Sequence, residues 1–158
     1  MAGSALLMAA TGCAPAARVE EKSDQNAATV ASAPKEKAVD VSRYFPKEKQ
    51  TGVEFVEDQL LGIAALPGGN IAEYNRGGKR YQQFMLKAPS AALAAVCLAD
   101  IKSAMTNPKF VASFGGYFGE LDGKPAFVFT KNEYVTGFIG LSRDEADAEG
   151  RVAAARIP

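Results

Sequence analysis

The sequence predicts an α+β protein in which an antiparallel sheet of about five strands packs against two helices. Three observations carry this prediction: β-forming runs flank the Gly-Gly pair at 77–78, residues 91–105 favour a helix, and three later apolar runs are separated by turns. The element order is β-hairpin, helix, β-meander, helix. Because antiparallel sheets often carry their helices on one side, we expect both helices on one face of the sheet.

The hairpin strands are expected at 70–75 and 80–87, where the second run alternates in side-chain character. Residues 82, 84 and 86 share one face, and Phe84 and Leu86 favour that face as the buried one. The preceding apolar stretch, 58–66, ends at a Pro-Gly-Gly sequence and is compatible with either a short helix or a strand.

The first helix is predicted to begin after Pro89 and Ser90, because proline fits a first helical turn, and to stop at Asn107-Pro108. An apolar stripe recurs along it at four-residue spacing: Leu93, Cys97, Ile101 and Met105. We expect this stripe to face the sheet and to pack against one or more of three aromatic residues: Phe84, Phe127 and Phe129. Cys97 is then a small buried side chain.

The meander is predicted from three runs, 110–121, 125–130 and 134–141, joined by tight turns. Ser142 and Glu145 have the spacing of a capping box, in which a serine and a glutamate three residues later satisfy free backbone donors. They predict a last helix that ends near Arg156, weakened by Gly150.

A short apolar run at residues 5–9 is followed by Ala10-Thr11-Gly12-Cys13. Small residues before a cysteine at the end of an apolar segment resemble the lipobox of bacterial lipoproteins. The resemblance implies a diacylglycerol thioether on Cys13, cleavage before this residue, and a mature protein held in the cell envelope and facing the periplasm. Which of the two membranes holds it stays open. The alternative is an Ala-rich terminus with an incidental cysteine.

Three segments follow from this interpretation. Residues 1–13 are expected to be a truncated lipoprotein signal segment, whose true start lies upstream. Residues 14–40 contain Ala, Pro, Ser, Glu and Lys with almost no large apolar side chains, so we expect a disordered linker. Residues 41–158 are expected to form a single α+β domain.

Composition narrows the functional classes. Lys and Arg total 18, as do Asp and Glu, so the formal net charge is zero and we expect no nucleic-acid partner. The chain has no histidine, which removes the commonest general base and the commonest zinc and haem ligand. We therefore expect no cofactor, no metal site and no enzymatic activity.

Two segments are candidate ligand-binding sites. The exposed hairpin cations Arg76, Lys79 and Arg80 are placed to touch an anionic partner. Glycines inside a strand mark a bend or a close backbone approach, so the segment Gly115, Gly116 and Tyr117 is a candidate floor for a shallow groove. A bent strand whose phenylalanines fill the core is the simpler interpretation of this segment.

A third group, the acidic residues Glu54, Glu57 and Asp58, matches no calcium loop and is interpreted as a solvated surface. The sequence therefore favours a lipid-anchored, non-catalytic binding module for an unknown ligand or envelope protein. The alternatives are an assembly protein that binds other proteins through a sheet edge, and an enzyme that relies on carboxylates alone.

Overall fold

The computed structural model describes residues 37–158. Cys13, which is the expected lipid-attachment residue, lies outside the described residues, as do the expected signal segment 1–13 and residues 14–36 of the expected linker. The described elements, in chain order, are β1 (Gln50–Asp58), β2 (Pro67–Arg76), β3 (Lys79–Lys87), α1 (Ala91–Ala104), β4 (Thr106–Val111), β5 (Gly116–Leu121), β6 (Lys124–Lys131), β7 (Tyr134–Ile139) and α2 (Arg143–Arg156). Short 3-10 turns span Ser42–Tyr44 and Leu60–Gly62.

The α+β class is confirmed, but the expected strand count is wrong. The sheet has seven strands in the order β1-β2-β3-β7-β6-β5-β4, and every neighbouring pair is antiparallel. Strand β1 was missed because its charged and apolar residues do not form a clean alternation. The run 110–121 is two strands, since a turn that includes Gly115, at a φ of +62°, separates β4 from β5.

The expectation that both helices pack on one face is also wrong. Ala126 and Val128 belong to the cluster that α1 buries, whereas Phe127 and Phe129 belong to the cluster that α2 buries. Because successive residues of a strand point to opposite faces, the two helices lie on opposite sides of the sheet. We call these sides the α1 face and the α2 face. The continuous apolar run of β6 is what a strand covered on both sides requires.

Helix α1 lies across β5, β6 and β7. Its buried residues lie on one helical face, where neighbours are three or four positions apart: Ala94, Cys97, Leu98 and Ile101. A strict four-residue step overshoots a helical turn by about 40°, which rotates Leu93 away from the sheet and leaves it 46% exposed. Phe84 packs on this face as expected, but Phe127 and Phe129 do not.

The α2 face is closed by α2 and by the segment that precedes β1. In that segment Val41 and Phe45 are buried, and the Val41 N–H donates to Oδ1 of Asn70 at 2.8 Å. The predicted capping box forms at the start of α2. Gly150 has a packing role, since a Cβ there would lie 3.0 Å from Phe127 Cε1.

Neither helix of the described chain has the length and the continuous apolar character that crossing a membrane requires.

Candidate ligand groove

One region of the α1 face stays uncovered. Helix α1 lies over β5 to β7, and Leu60 and Leu66 cover the face near the end of β3, so the hairpin end of β2 and β3 has no layer above it. An open groove of about 470 Å³ lies here. Its lining includes six residues on which the argument below depends: Thr51, Glu73, Arg80, Gln82, Lys124 and Ile139.

Strand register brings two cations to this groove. Ile139 of β7 pairs with Gln82 of β3 on one side and with Ala126 of β6 on the other. Arg80 and Lys124 lie two residues before Gln82 and Ala126, so they project from the same face and flank the end of β7. Residues that are 44 positions apart in the chain therefore line one groove.

The two groove cations have no ion-pair partner among residues 37–158. The other hairpin cations differ in this respect. Arg76 Nη1 lies 2.5 Å from Glu149 Oε1, and the Lys79 ammonium contacts Glu145. Arg80 and Lys124 are exposed, and the described chain gives neither of them a carboxylate. Both groove cations are therefore available to a ligand.

The opposite wall of the groove is acidic. Glu73 pairs directly with Gln82 across β2 and β3, and the Gln82 side-chain amide donates to Glu73 Oε1 at 3.2 Å. This bond holds the Glu73 carboxylate on β2, which lies on the other side of Gln82 from β7. The groove consequently has a positive side, with Arg80 and Lys124, and a negative side, with Glu73.

Two of the three predicted hairpin residues do not belong to the groove. Arg76 and Lys79 form salt bridges with Glu149 and Glu145 of α2. The contact with Lys79 and the hydrogen bonds with Ser142 lower the pKa of Glu145 to about 2. They dock the hairpin on α2, and Arg80 is the hairpin residue that lines the groove. A sequence pattern cannot separate these roles, because they depend on where α2 packs.

The second predicted segment lies at the other end of the sheet. Gly116 begins β5 and packs so closely on β6 that a Cβ there would collide with the carbonyl oxygen of Val128. Tyr117 is half-buried on the α1 face, where the Lys102 ammonium lies 4.8 Å from its ring centroid. Gly115 forms the preceding turn. The structure does not bring these three residues together with the hairpin cations.

Several groove residues were missed by the sequence prediction: Glu73, Gln82 and Lys124. The alternation of β3 does place Gln82 with Arg80, which was a usable signal. Lys124 had none, because it joins the groove only through the pairing of β7 with both β3 and β6. The predicted acidic group does not converge either, since Glu54 and Glu57 project from opposite faces of β1.

A second polar cluster lies where the described chain enters the domain. The Arg43 guanidinium donates to the Tyr44 hydroxyl at 2.7 Å, and the hydroxyls of Tyr44 and Tyr134 are 3.4 Å apart. Hydrogen bonds with Tyr134 and Arg43 lower the pKa of Tyr44.

Residues 37–158 contain no group of three or more histidine, cysteine, aspartate or glutamate side chains placed to hold a metal ion. Comparisons with models of known protein families, with curated proteins and with solved structures found no match to the chain.

Proposed function

We propose that this protein is a lipid-anchored binding module of the bacterial cell envelope, and that its groove takes a small ligand with an acidic group. The observation that carries the proposal is a pair of cations, Arg80 and Lys124, which line the groove and have no ion-pair partner among residues 37–158. The anchoring half of the proposal depends on the lipobox-like segment that ends at Cys13.

The groove has the dimensions of a small-molecule site, since such pockets usually enclose about 300–1,000 Å³. An arginine guanidinium offers a planar fork of donors that suits carboxylate or phosphate, and lysine adds a point charge. Gln82 and Thr51 contribute neutral polar groups beside them. These are binding groups, and nothing in the proposal requires a bond to be broken.

Glu73 refines the ligand class. A purely anionic ligand would be repelled by the Glu73 carboxylate. A ligand with an acidic and an amino group would instead match the charges on both sides of the groove. We therefore propose a zwitterionic ligand whose acid contacts Arg80 and Lys124 and whose amine contacts Glu73.

Calorimetric titration tests the groove, with inorganic phosphate as the simple probe and phosphoethanolamine as the zwitterionic probe. We expect phosphoethanolamine to bind more tightly. Arg80→Gln should weaken both probes by about tenfold or more, because a charge-assisted hydrogen bond contributes about 1.5–3 kcal/mol. Glu73→Gln should remove only the advantage of phosphoethanolamine.

The matched control for the groove is Lys109→Gln, which removes an exposed cation from β4, far from the groove in the strand order. It should leave both affinities unchanged. Equal losses in Arg80→Gln and Lys109→Gln would mean that the probes respond to overall charge, and the groove proposal would be abandoned.

Anchoring is tested with the chain expressed in bacteria behind its upstream leader. We expect the protein to partition into detergent and to carry a diacylglycerol mass on Cys13. Cys13→Ser should release it, while Cys97→Ser, which changes the chain's other cysteine, should leave it membrane-bound. Membrane association that survives Cys13→Ser would contradict the lipid anchor.

A further inference from the structure

The seven-stranded sheet is open, so β1 and β4 are edge strands. An edge strand presents unpaired N–H and C=O groups that another strand can bind, and proteins commonly obstruct such edges. Strand β4 is obstructed in three ways. Pro108 lacks an N–H, Asn107 has a φ of +50°, and the register shifts between Thr106 and Lys109.

Strand β1 has no comparable obstruction along most of its length. Its register shift is confined to the stretch between Gln50 and Gly52, and residues 53–58 then run in regular pairing with β2. The strand contains no proline, lysine or arginine. Among residues 37–158, no strand pairs with the outer side of the continuous stretch 53–57.

The direction of the free backbone groups follows from the neighbouring ladder. The β2–β3 hairpin has a two-residue loop, so its closing pair Arg76–Lys79 is hydrogen-bonded and the even-numbered residues of β2 bond to β3. The odd-numbered residues of β2 therefore bond to β1, as the Asn75 N–H does by donating to the Lys49 carbonyl at 3.0 Å. Because Ile71 faces Glu54 and Gly69 faces Val56 in this register, the N–H and C=O groups of residues 53, 55 and 57 point outward.

The side chains along this edge form a defined pattern. Val53 and Phe55 share the α2 face and are 40% and 44% exposed, which is unusual for large apolar residues in this domain. Glu54 projects on the α1 face, and Glu57 lies two residues beyond Phe55 on the α2 face. Within the described chain, neither glutamate forms an ion pair.

We propose that the outer edge of β1 binds an extended strand of another protein in antiparallel orientation. Opposite charges and apolar pairs stabilise directly opposed positions of neighbouring strands. The partner strand therefore carries apolar residues opposite Val53 and Phe55 and cations opposite Glu54 and Glu57. Read from its amino terminus, it has the pattern cation, any residue, apolar, cation, apolar.

A second copy of this chain fits the edge poorly. Paired along residues 53–57, it would bring a second Glu54 and a second Glu57 to the junction and no cation. The carboxylates of both copies would then crowd one junction without compensation. A basic strand from a different protein satisfies the same groups. This surface is the outer edge of β1, so the inference stands whether or not the groove binds a small ligand.

The test uses a synthetic peptide, Thr-Lys-Thr-Val-Lys-Val-Thr, added to the full chain. We expect saturable binding, with slower hydrogen exchange at the outward amides of Val53 and Phe55. The double variant Glu54→Lys/Glu57→Lys should lose at least about tenfold in affinity. The same variant should gain affinity for a peptide with glutamate in place of both lysines.

Two controls keep the outcome specific. Glu120→Lys reverses an exposed glutamate on β5, far from β1 in the strand order, and should leave the affinity unchanged. Phe55→Pro removes one outward N–H and leaves the inner ladder bonds in place, so it should weaken peptide binding with an unchanged circular dichroism spectrum. If the proline variant unfolds, the charge-reversed variant still decides the matter.

Three results would overturn the proposal. The peptide could leave the β1 amides unprotected, or it could bind the charge-reversed variant as tightly as the unchanged chain. Sedimentation could instead show a concentration-dependent dimer that Phe55→Pro dissolves, which would make the second copy the occupant of this edge.

Discussion

Phe84 of β3 lies directly opposite Gly137 of β7, and its ring occupies the space that a side chain at 137 would need. A Cβ on Gly137 would be 2.5 Å from Phe84 Cζ, and it would also collide with the Phe127 carbonyl oxygen. At the centre of the sheet, the Phe84 ring therefore packs closely because residue 137 is a glycine and has no side chain.

Gly137→Ala should destabilise the domain, because neither the ring nor the β6 backbone has room to move. Overpacking of this kind costs about 1–3 kcal/mol, measured as the free energy of unfolding in urea. Gly52→Ala is the control, since a Cβ at Gly52 in β1 meets nothing within 4 Å. Equal stability of the two variants would show that the centre of the sheet is looser than described.

Lys131 ties the end of α2 to β6. Its ammonium donates to the carbonyl oxygens of Ala154 and Ile157 at 2.6 and 2.5 Å. A cation at a helix C-terminus also complements the helix dipole, so Lys131→Met should cost about 1–2 kcal/mol of unfolding free energy. Lys109→Met, an exposed change on β4, should cost little, and a Lys131→Met variant as stable as that control would contradict this role.

Cys97 should react slowly with alkylating reagents in the folded Cys13→Ser chain, where it is the one remaining thiol. Cys97 is buried on α1, and this burial is the main cause that raises the pKa of its thiol. The nearby Asp100 raises this pKa further. Cys97→Ser should cost about 1–3 kcal/mol and Cys97→Ala less, because serine buries a hydroxyl. Labelling as fast as in the urea-unfolded chain would place the thiol at the surface.

Glu145 should make stability fall in acid. Its ion pair with Lys79 and its bonds with Ser142 lower its pKa from 4.5 to about 2. A lowered folded-state pKa contributes stability that is complete above 4.5 and is lost as the pH falls toward about 2.

The measurement for Glu145 is the melting temperature across that pH interval. Glu145→Gln should show a smaller fall than the unchanged chain, and added salt should reduce the difference, because the pair is exposed. Glu48→Gln, an exposed glutamate without an ion pair in the described chain, should fall as the unchanged chain does. If the melting temperatures of the unchanged chain and both variants fell identically with pH, Glu145 would make no contribution to the acid sensitivity.

Local patterns predicted much of the fold. The hairpin, α1, β6, β7 and the capping box of α2 each depend on neighbouring residues, and each is found close to its expected place. The errors concern long-range arrangement. Whether α1 and α2 share a face depends on how the connections cross the sheet, and the alternation of Phe127 and Val128 shows this only once both faces are known to be covered.

The candidate groove was less predictable than the fold for the same physical reason. Arg80 could be proposed from an exposed hairpin, but its neighbour Lys124 follows from β7 lying between β3 and β6. Likewise, the ion pairs that withdraw Arg76 and Lys79 form only when α2 packs beside the hairpin. The charges of the hairpin therefore pointed to this segment, but they did not separate Arg80, which lines the groove, from Arg76 and Lys79, which bind α2.

The central claim, that Arg80 and Lys124 form a ligand site, is tested most directly by mapping amide chemical shifts of the full chain during a phosphoethanolamine titration. The account predicts saturable shifts centred on Arg80, Gln82, Lys124 and Gly140, which disappear in Arg80→Gln/Lys124→Gln. Shifts centred elsewhere, such as at Lys87 or Arg143, or shifts that persist in the double variant, would contradict it.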